Sequence, residues 1–97
     1  MNKAYVIGHV SVKNAHKWDE YRAAVPSTLA PWGGELVFRG RLSHVLSGTH
    51  SYESTVVIAF PDEAAINHWF QSDAYQSLIP VREQAVDIVL LTYEADA

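Results

Sequence analysis

Two side chains combine reactive chemistry with an apolar setting. His9 lies inside the run AYVIGHVSV (4–12), and Arg39 lies inside ELVFRGRLSHVLSG (35–48). An imidazole among apolar neighbours titrates near neutrality with modest tuning, so His9 is a candidate general acid or base. The alternative is a core histidine bonded to a tyrosine or a carbonyl. A guanidinium drawn out of water needs an anion or several acceptors. Arg39 is therefore a fork for a substrate carboxylate or enolate, or half of a salt bridge to Glu35, Glu53 or Glu83, or a charge turned outward. The same alternatives apply to Arg82, whereas Arg41 reads as a solvated charge at a strand edge. His9 and Arg39 form the candidate catalytic pair. Tyr21, Trp69, Tyr75 and Arg82 are the candidate substrate-binding residues, because Tyr and Trp bring apolar walls with polar tips. A cavity between helices and sheet, lined by such rings and capped by Arg39 or His9, has the usual shape of a small-molecule site.

Other chemistries find little footing. The five histidines (His9, His16, His44, His50 and His68) form no H-x-H pair and no H-E-x-x-H helix, although His44 and His50 straddle a loop. No metal site is expected. The chain has no cysteine and no G-x-S-x-G elbow, and Ser47-Gly48 reads as a turn. Without a G-x-G-x-x-G or Walker sequence, nucleotide binding is not expected, and no other cofactor is indicated. A net charge of −4 with no run of like charge speaks against nucleic acid or an anionic membrane as partner. The absence of cysteine fits a reducing compartment. MNKAYVIGHVSVKN lacks the long apolar core of a signal peptide, so a cytoplasmic location is the expectation. Ninety-seven residues suffice for one domain, 1–97, around one core.

These residues need elements to position them. Residues 3–12 alternate, with Ala4, Val6, Gly8, Val10 and Val12 in one row and Tyr5, Ile7, His9 and Ser11 in the other. Both rows are largely apolar, which suits a central strand covered on both sides. Asn14 can cap a helix carrying Trp18, Tyr21, Arg22, Val25 and Leu29 at helical spacing. Pro26 is expected to end or kink it near Val25. APWGG (30–34) makes a turn with Gly33 or Gly34 at positive φ. Residues 35–47 are long for one strand, and RGR offers a bulge or bend that splits them in two. STVVIAFP (54–61) is a second buried strand. Asp62 caps a helix in which Ala65, Ile66, Trp69 and Phe70 share a face. Ser72 or Asp73 caps a short helical segment with a restart at Pro80, and VDIVLLTYE (86–94) closes the chain.

The order β-α-β-β-α-(α)-β is that of the split βαβ, ferredoxin-like plan, an α+β fold with helices on one face of an antiparallel sheet. The other sheet face then has no cover within the chain, yet its residues are apolar. That predicts a two-fold homodimer, sheet against sheet, forming a dimeric α/β barrel.

The stretches AYVIGHVSV, YRAAVPSTLAPWGGELVFRG (21–40) and STVVIAFPDEAAINHWFQSDAYQSLIPVRE (54–83), with the closing strand, resemble the DUF1330 family of the dimeric α/β-barrel superfamily. The resemblance spans essentially the whole chain. It implies a ferredoxin-like monomer and a barrel-forming dimer, and it singles out Tyr21, Arg39, Ser72, Tyr75 and Arg82. Where the family often reads Leu-Glu-Gly, this chain has Leu46-Ser47-Gly48, which removes one possible partner for an arginine. The wider superfamily includes cofactor-independent monooxygenases, muconolactone-type isomerases, stress-responsive barrels and haem-degrading enzymes, and fold does not choose among them. The functional expectation is a small dimeric protein that binds a small anionic or phenolic organic molecule. It either acts on that molecule by proton transfer or cofactor-free oxygenation, or holds it as a ligand-binding or stress-associated dimer. A structural dimer with an interior filled by its own side chains is the third alternative.

Overall fold

The alternating run near the N-terminus forms β1 (Ala4–Val12), the strand on which the rest is built. The computed structural model describes residues 3–96. After β1 come helix α1 (Ala15–Leu29), a 3-10 turn (Ala30–Trp32), β2 (Glu35–Arg41), β3 (Ser54–Phe60), α2 (Glu63–Gln71), α3 (Asp73–Gln76), α4 (Ile79–Ala85) and β4 (Val86–Glu94). The strands form one sheet in the order β2-β3-β1-β4, and every neighbouring pair is antiparallel. This is the ferredoxin-like α+β arrangement, with the helices on one face. Among the described residues no helix is long and apolar enough to cross a membrane.

The helix starts obey local chemistry. Asn14 Oδ1 accepts from Lys17 N at 3.1 Å, Asp62 Oδ1 from Ala65 N at 2.8 Å, and Ser72 Oγ from Tyr75 N at 3.3 Å. Each satisfies a backbone donor that the first helical turn leaves free. Gly33 closes the turn after α1 at φ 74, a left-handed conformation that favours glycine.

Pro26 does not end α1, which runs on to Leu29. A proline removes one ladder bond. Beyond it, the hydroxyls of Ser27 and Thr28 bond the carbonyls of Ala24 and Val25, and Thr28 and Leu29 are buried. Packing of this last turn outweighs the lost bond.

The stretch 35–47 also departs from expectation. It is one strand ending at Arg41, followed by an irregular segment over 42–53 rather than by a second strand. The break in register lies between Leu36 and Phe38, not within RGR. Leu36 pairs with Ile58 and Phe38 with Val57, so Val37 is the extra residue of a bulge. One added residue reverses the side-chain parity beyond it. Leu36 and Arg39 therefore share the helix-side face, opposite Ile58 and Val56, while Phe38 and Gly40 take the outer face.

The two sheet faces differ in cover. Ala4, Val6 and Val10 of β1, Ile58 and Phe60 of β3, and Val86 of β4 are buried beneath the helices. Most of this face joins Ile66, Trp69 and Tyr75 in the main core, while Val10 and Val86 pack with Ala85 in a smaller cluster. The outer face carries Ile7 between Val57 and Leu91, with Tyr5, Ala59 and Tyr93 beside them. Among the described residues no helix covers this face. The segment after β2 also exposes Leu42, Val45 and Leu46, the last at 90%.

Candidate functional site

Between α1 and the sheet lies an apolar cavity of about 160 Å³. Val25 and Leu29 of α1 form its roof, and Leu36, Val56, Ile58 and Leu90 its floor. Trp18, Tyr21 and Trp69 supply aromatic walls. Beneath the floor β1 carries Gly8, over which two floor side chains close in. A Cβ on Gly8 would meet Val56 Cγ1 at 3.0 Å and Leu90 Cδ2 at 3.2 Å, both side chains of the cavity floor.

The polar tips of Trp69 and Tyr21 are satisfied by protein partners. Trp69 Nε1 donates to Thr28 Oγ1 at 3.0 Å, and Thr28 donates onward to Val25 O at 2.7 Å. The Tyr21 and Tyr75 hydroxyls share a hydrogen bond of 2.8 Å, and Arg82 Nη1 donates to Tyr75 Oη at 2.9 Å. Tyr75 is fully buried, so this chain of two phenols and a guanidinium ties α1 to α3 and α4 inside the core. Arg82 also meets Glu83 at 3.3 Å, while its Nε is buried without a partner.

Burial first, then the Tyr75 hydroxyl pressed against it, push the Tyr21 phenol well above the usual tyrosine range, against a smaller downward pull from the Arg82 charge. A raised folded-state value means the native state holds the proton that the unfolded chain releases. That stability is complete below the unfolded tyrosine value of about 10 and is lost as pH climbs past it. Tyr21→Phe should therefore flatten the alkaline fall in stability, by up to ~1.4 kcal/mol per pH unit above the unfolded value. Urea midpoints across that range check this, and parallel profiles for the two proteins would refute the buried, protonated phenol.

Arg39 reaches the cavity from β2, and its guanidinium has no protein partner. Among the described residues it makes no ion pair and no side-chain hydrogen bond. Each expected counter-ion is engaged or misplaced. Glu53 Oε1 accepts from Val12 N at 2.8 Å, Glu83 pairs with Arg82, and Glu35 stands opposite Ala59 on the outer face. Ser47 lies in the exposed segment after β2 and supplies no carboxylate.

The sequence-predicted residues thus divide. Tyr21, Trp69 and Arg39 come together around the cavity. Tyr75 sits behind Tyr21, and Arg82 lines a separate pocket with Asn67, Phe70 and Thr92. His9 and Arg39 do not converge. His9 belongs to the outer row of β1, where Nδ1 lies 3.2 Å from Thr55 Oγ1 and its ring lies 5.1 Å from His50 and 6.2 Å from Tyr52. The sheet itself separates the two, because His9 is odd in a row whose even members face the helices. Among the described residues no group of three or more His, Cys, Asp or Glu side chains is placed to hold a metal ion.

Sequence reasoning passed over Arg22 as a site residue. It follows Trp18 by one turn, which puts both on one helix face. In the structure its Cζ lies 5.6 Å from the Trp18 ring centroid, Nη2 pairs with Asp19 at 2.7 Å, and Nε is buried without a partner. The i, i+4 spacing of Trp18 and Arg22 was the signal available for it.

The fold and cavity define an α+β protein of the ferredoxin-like class with an apolar pocket under its first helix. Within that class, the chain belongs to the DUF1330 family, a domain of unknown function, whose model matches residues 3–95. A search of curated proteins finds no sequence match. Solved structures share the fold at low identity. A dimeric ferredoxin-like protein of unknown function from Jannaschia sp. CCS1 is 14% identical at TM-score 0.77, covering 96% of this chain and 99% of its own. The hydroxynitrile lyase from Passiflora edulis is 17% identical at 0.78, with 98% and 94% covered. SnoaB, a cofactor-independent oxygenase from Streptomyces nogalater, is 13% identical at 0.70, with 100% and 96% covered.

Proposed function

We propose that this protein is a homodimer that binds a small organic anion or phenolate. The apolar part of the ligand occupies the cavity under α1, and its charged oxygen meets Arg39. The observation that carries this reading is an unpaired guanidinium at the edge of an apolar space. A cavity of about 160 Å³ accommodates one aromatic ring or a short chain, since an engineered apolar cavity of ~150 Å³ takes up benzene. The dimer is supported by the uncovered apolar outer face, by the exposed Leu42, Val45 and Leu46, and by the dimeric relative of the same fold. Such a dimer, packed outer face to outer face, leaves the helix-side cavity accessible.

Binding without turnover is favoured over catalysis in this cavity. Its polar lining consists of guanidiniums, indoles and the Tyr21 phenol, and that phenol is held protonated. A turnover reading with His9 as acid or base requires a different location, the pocket that His9 shares with Thr49, His50 and Tyr52 on the outer face. The cofactor-independent oxygenase and the lyase among the fold relatives keep that second reading open to test.

Calorimetry with benzoate and with neutral toluene tests the binding reading. Benzoate is expected to bind the wild type more tightly than toluene. Arg39→Gln should weaken benzoate by about 10- to 100-fold, the weight of a charged hydrogen bond (roughly 1.5–3 kcal/mol), and leave toluene unchanged. His9→Ala should leave both unchanged. Equal benzoate affinity in wild type and Arg39→Gln would remove Arg39 from the site.

A further inference from the structure

The cavity does not end at Arg39. It opens into a groove lined by Trp18, Arg22, Arg39, Arg41, Ser54 and Val56, four of which also line the cavity. Arg39 and Arg41 are two residues apart on β2, so both project on the helix-side face, opposite Val56 and Ser54. Arg22 descends from α1 with its guanidinium held near the Trp18 ring. Three guanidiniums therefore converge on one mouth in a protein whose net charge is −4. The carboxylate paired with them is Asp19, on Arg22. Among the described residues Arg39 and Arg41 have no ion-pair partner, and no acidic side chain lines the groove. Three cations against one anion leave two positive charges unmatched, and the buried Nε of Arg22 is a further unspent donor.

Resting on the binding function proposed above, we infer that the ligand carries a doubly charged oxyanion head on a ring-sized apolar body. The body fills the cavity and the head lies across Arg22, Arg39 and Arg41. One guanidinium fork satisfies a single carboxylate, so a monoanion leaves Arg41 unused. A dianion, either a phosphomonoester or a pair of adjacent carboxylates, matches the two unmatched charges and the planar donor geometry of arginine. Low-dielectric walls on the cavity side strengthen the attraction for such a head.

The test is calorimetry on the intact protein at low salt with phenyl phosphate, phthalate, benzoate and inorganic phosphate. Phenyl phosphate or phthalate is expected to bind at least tenfold more tightly than benzoate, and which of the two is tighter identifies the source of the charge. Arg41→Gln, a change at an exposed position, should bring the dianion down to the benzoate level and move benzoate less than twofold. Arg41→Lys should keep part of the preference. Benzoate binding as tightly as both dianions, or a dianion preference that survives Arg41→Gln, would overturn the inference while leaving Arg39 as a carboxylate site. Inorganic phosphate matching phenyl phosphate would remove the cavity from the binding event, and no binding by any of the four would end both readings.

Discussion

A glutamate at position 7 is expected to turn the proposed dimer into a folded monomer. Ile7 occupies the middle of the outer face, paired across β1 with Val57 on one side and Leu91 on the other. Burying an isoleucine contributes roughly 1.5–3 kcal/mol, and a carboxylate without a partner adds a desolvation cost of several kcal/mol. Two-fold symmetry applies each loss twice. The dissociation constant should rise about a thousandfold or more, since each ~1.4 kcal/mol is a factor of ten. The helix-side core does not touch position 7, so far-ultraviolet circular dichroism and cooperative unfolding should persist. Sedimentation of Ile7→Glu at micromolar concentration reads the outcome. A mass unchanged from that of a dimeric wild type would place the interface elsewhere, and a monomeric wild type would end the barrel reading.

The second large effect is at Gly8. Valine there is expected to abolish binding of ring-sized anions while leaving Arg39 itself unchanged. The new Cβ would stand 3.0 Å from Val56 Cγ1 and 3.2 Å from Leu90 Cδ2, closer than ordinary packing. Those side chains line the cavity, so their displacement into it, with the two added methyl groups, is expected to fill it. Overpacking of this kind costs about 1–3 kcal/mol, partly offset by the ~0.5–1 kcal/mol that a strand gains when glycine is replaced. A folded protein with slightly changed thermal stability and at least a hundredfold weaker benzoate binding is the expected combination. Wild-type affinity in folded Gly8→Val would mean that the ligand sits elsewhere. Gly8→Ala should fall between the two.

The sequence made the element order, the helix caps at Asn14, Asp62 and Ser72, and the two-faced character of the sheet legible, because each rests on local rules of period and capping. A glycine inside a buried strand marks close backbone approach or a bulge; at position 8 the ladder is regular and the approach is close. The orientation of Arg39 was not. Leu36, Val37 and Phe38 are all apolar, so no polar residue marks which of the three is extra, while Gly40 made RGR look like the natural bulge. His9 was already on the opposite parity from Val6 and Val10, but period alone does not say which row lies under the helices. The link from Tyr21 to Tyr75 joins residues 54 apart in the chain and follows from packing that no local pattern encodes. The course of α1 beyond Pro26 likewise depends on the burial of Thr28 and Leu29.

The bulge at Val37 gives related sequences a reading frame of their own. Beyond it, the pairing with β3 and not the count of residues decides which side chains meet the cavity. A relative lacking only residue 37 would pair its leucine, phenylalanine and arginine with Ile58, Val57 and Val56 in plain alternation and keep the same faces. A strand of the same length without the bulge would instead set its phenyl ring opposite Val56, toward the helices, and its arginine opposite Thr55, on the outer face. In an alignment, a single gap at this position would therefore leave the proposed anion site in place, whereas an ungapped strand keeps it only where the bulge is kept.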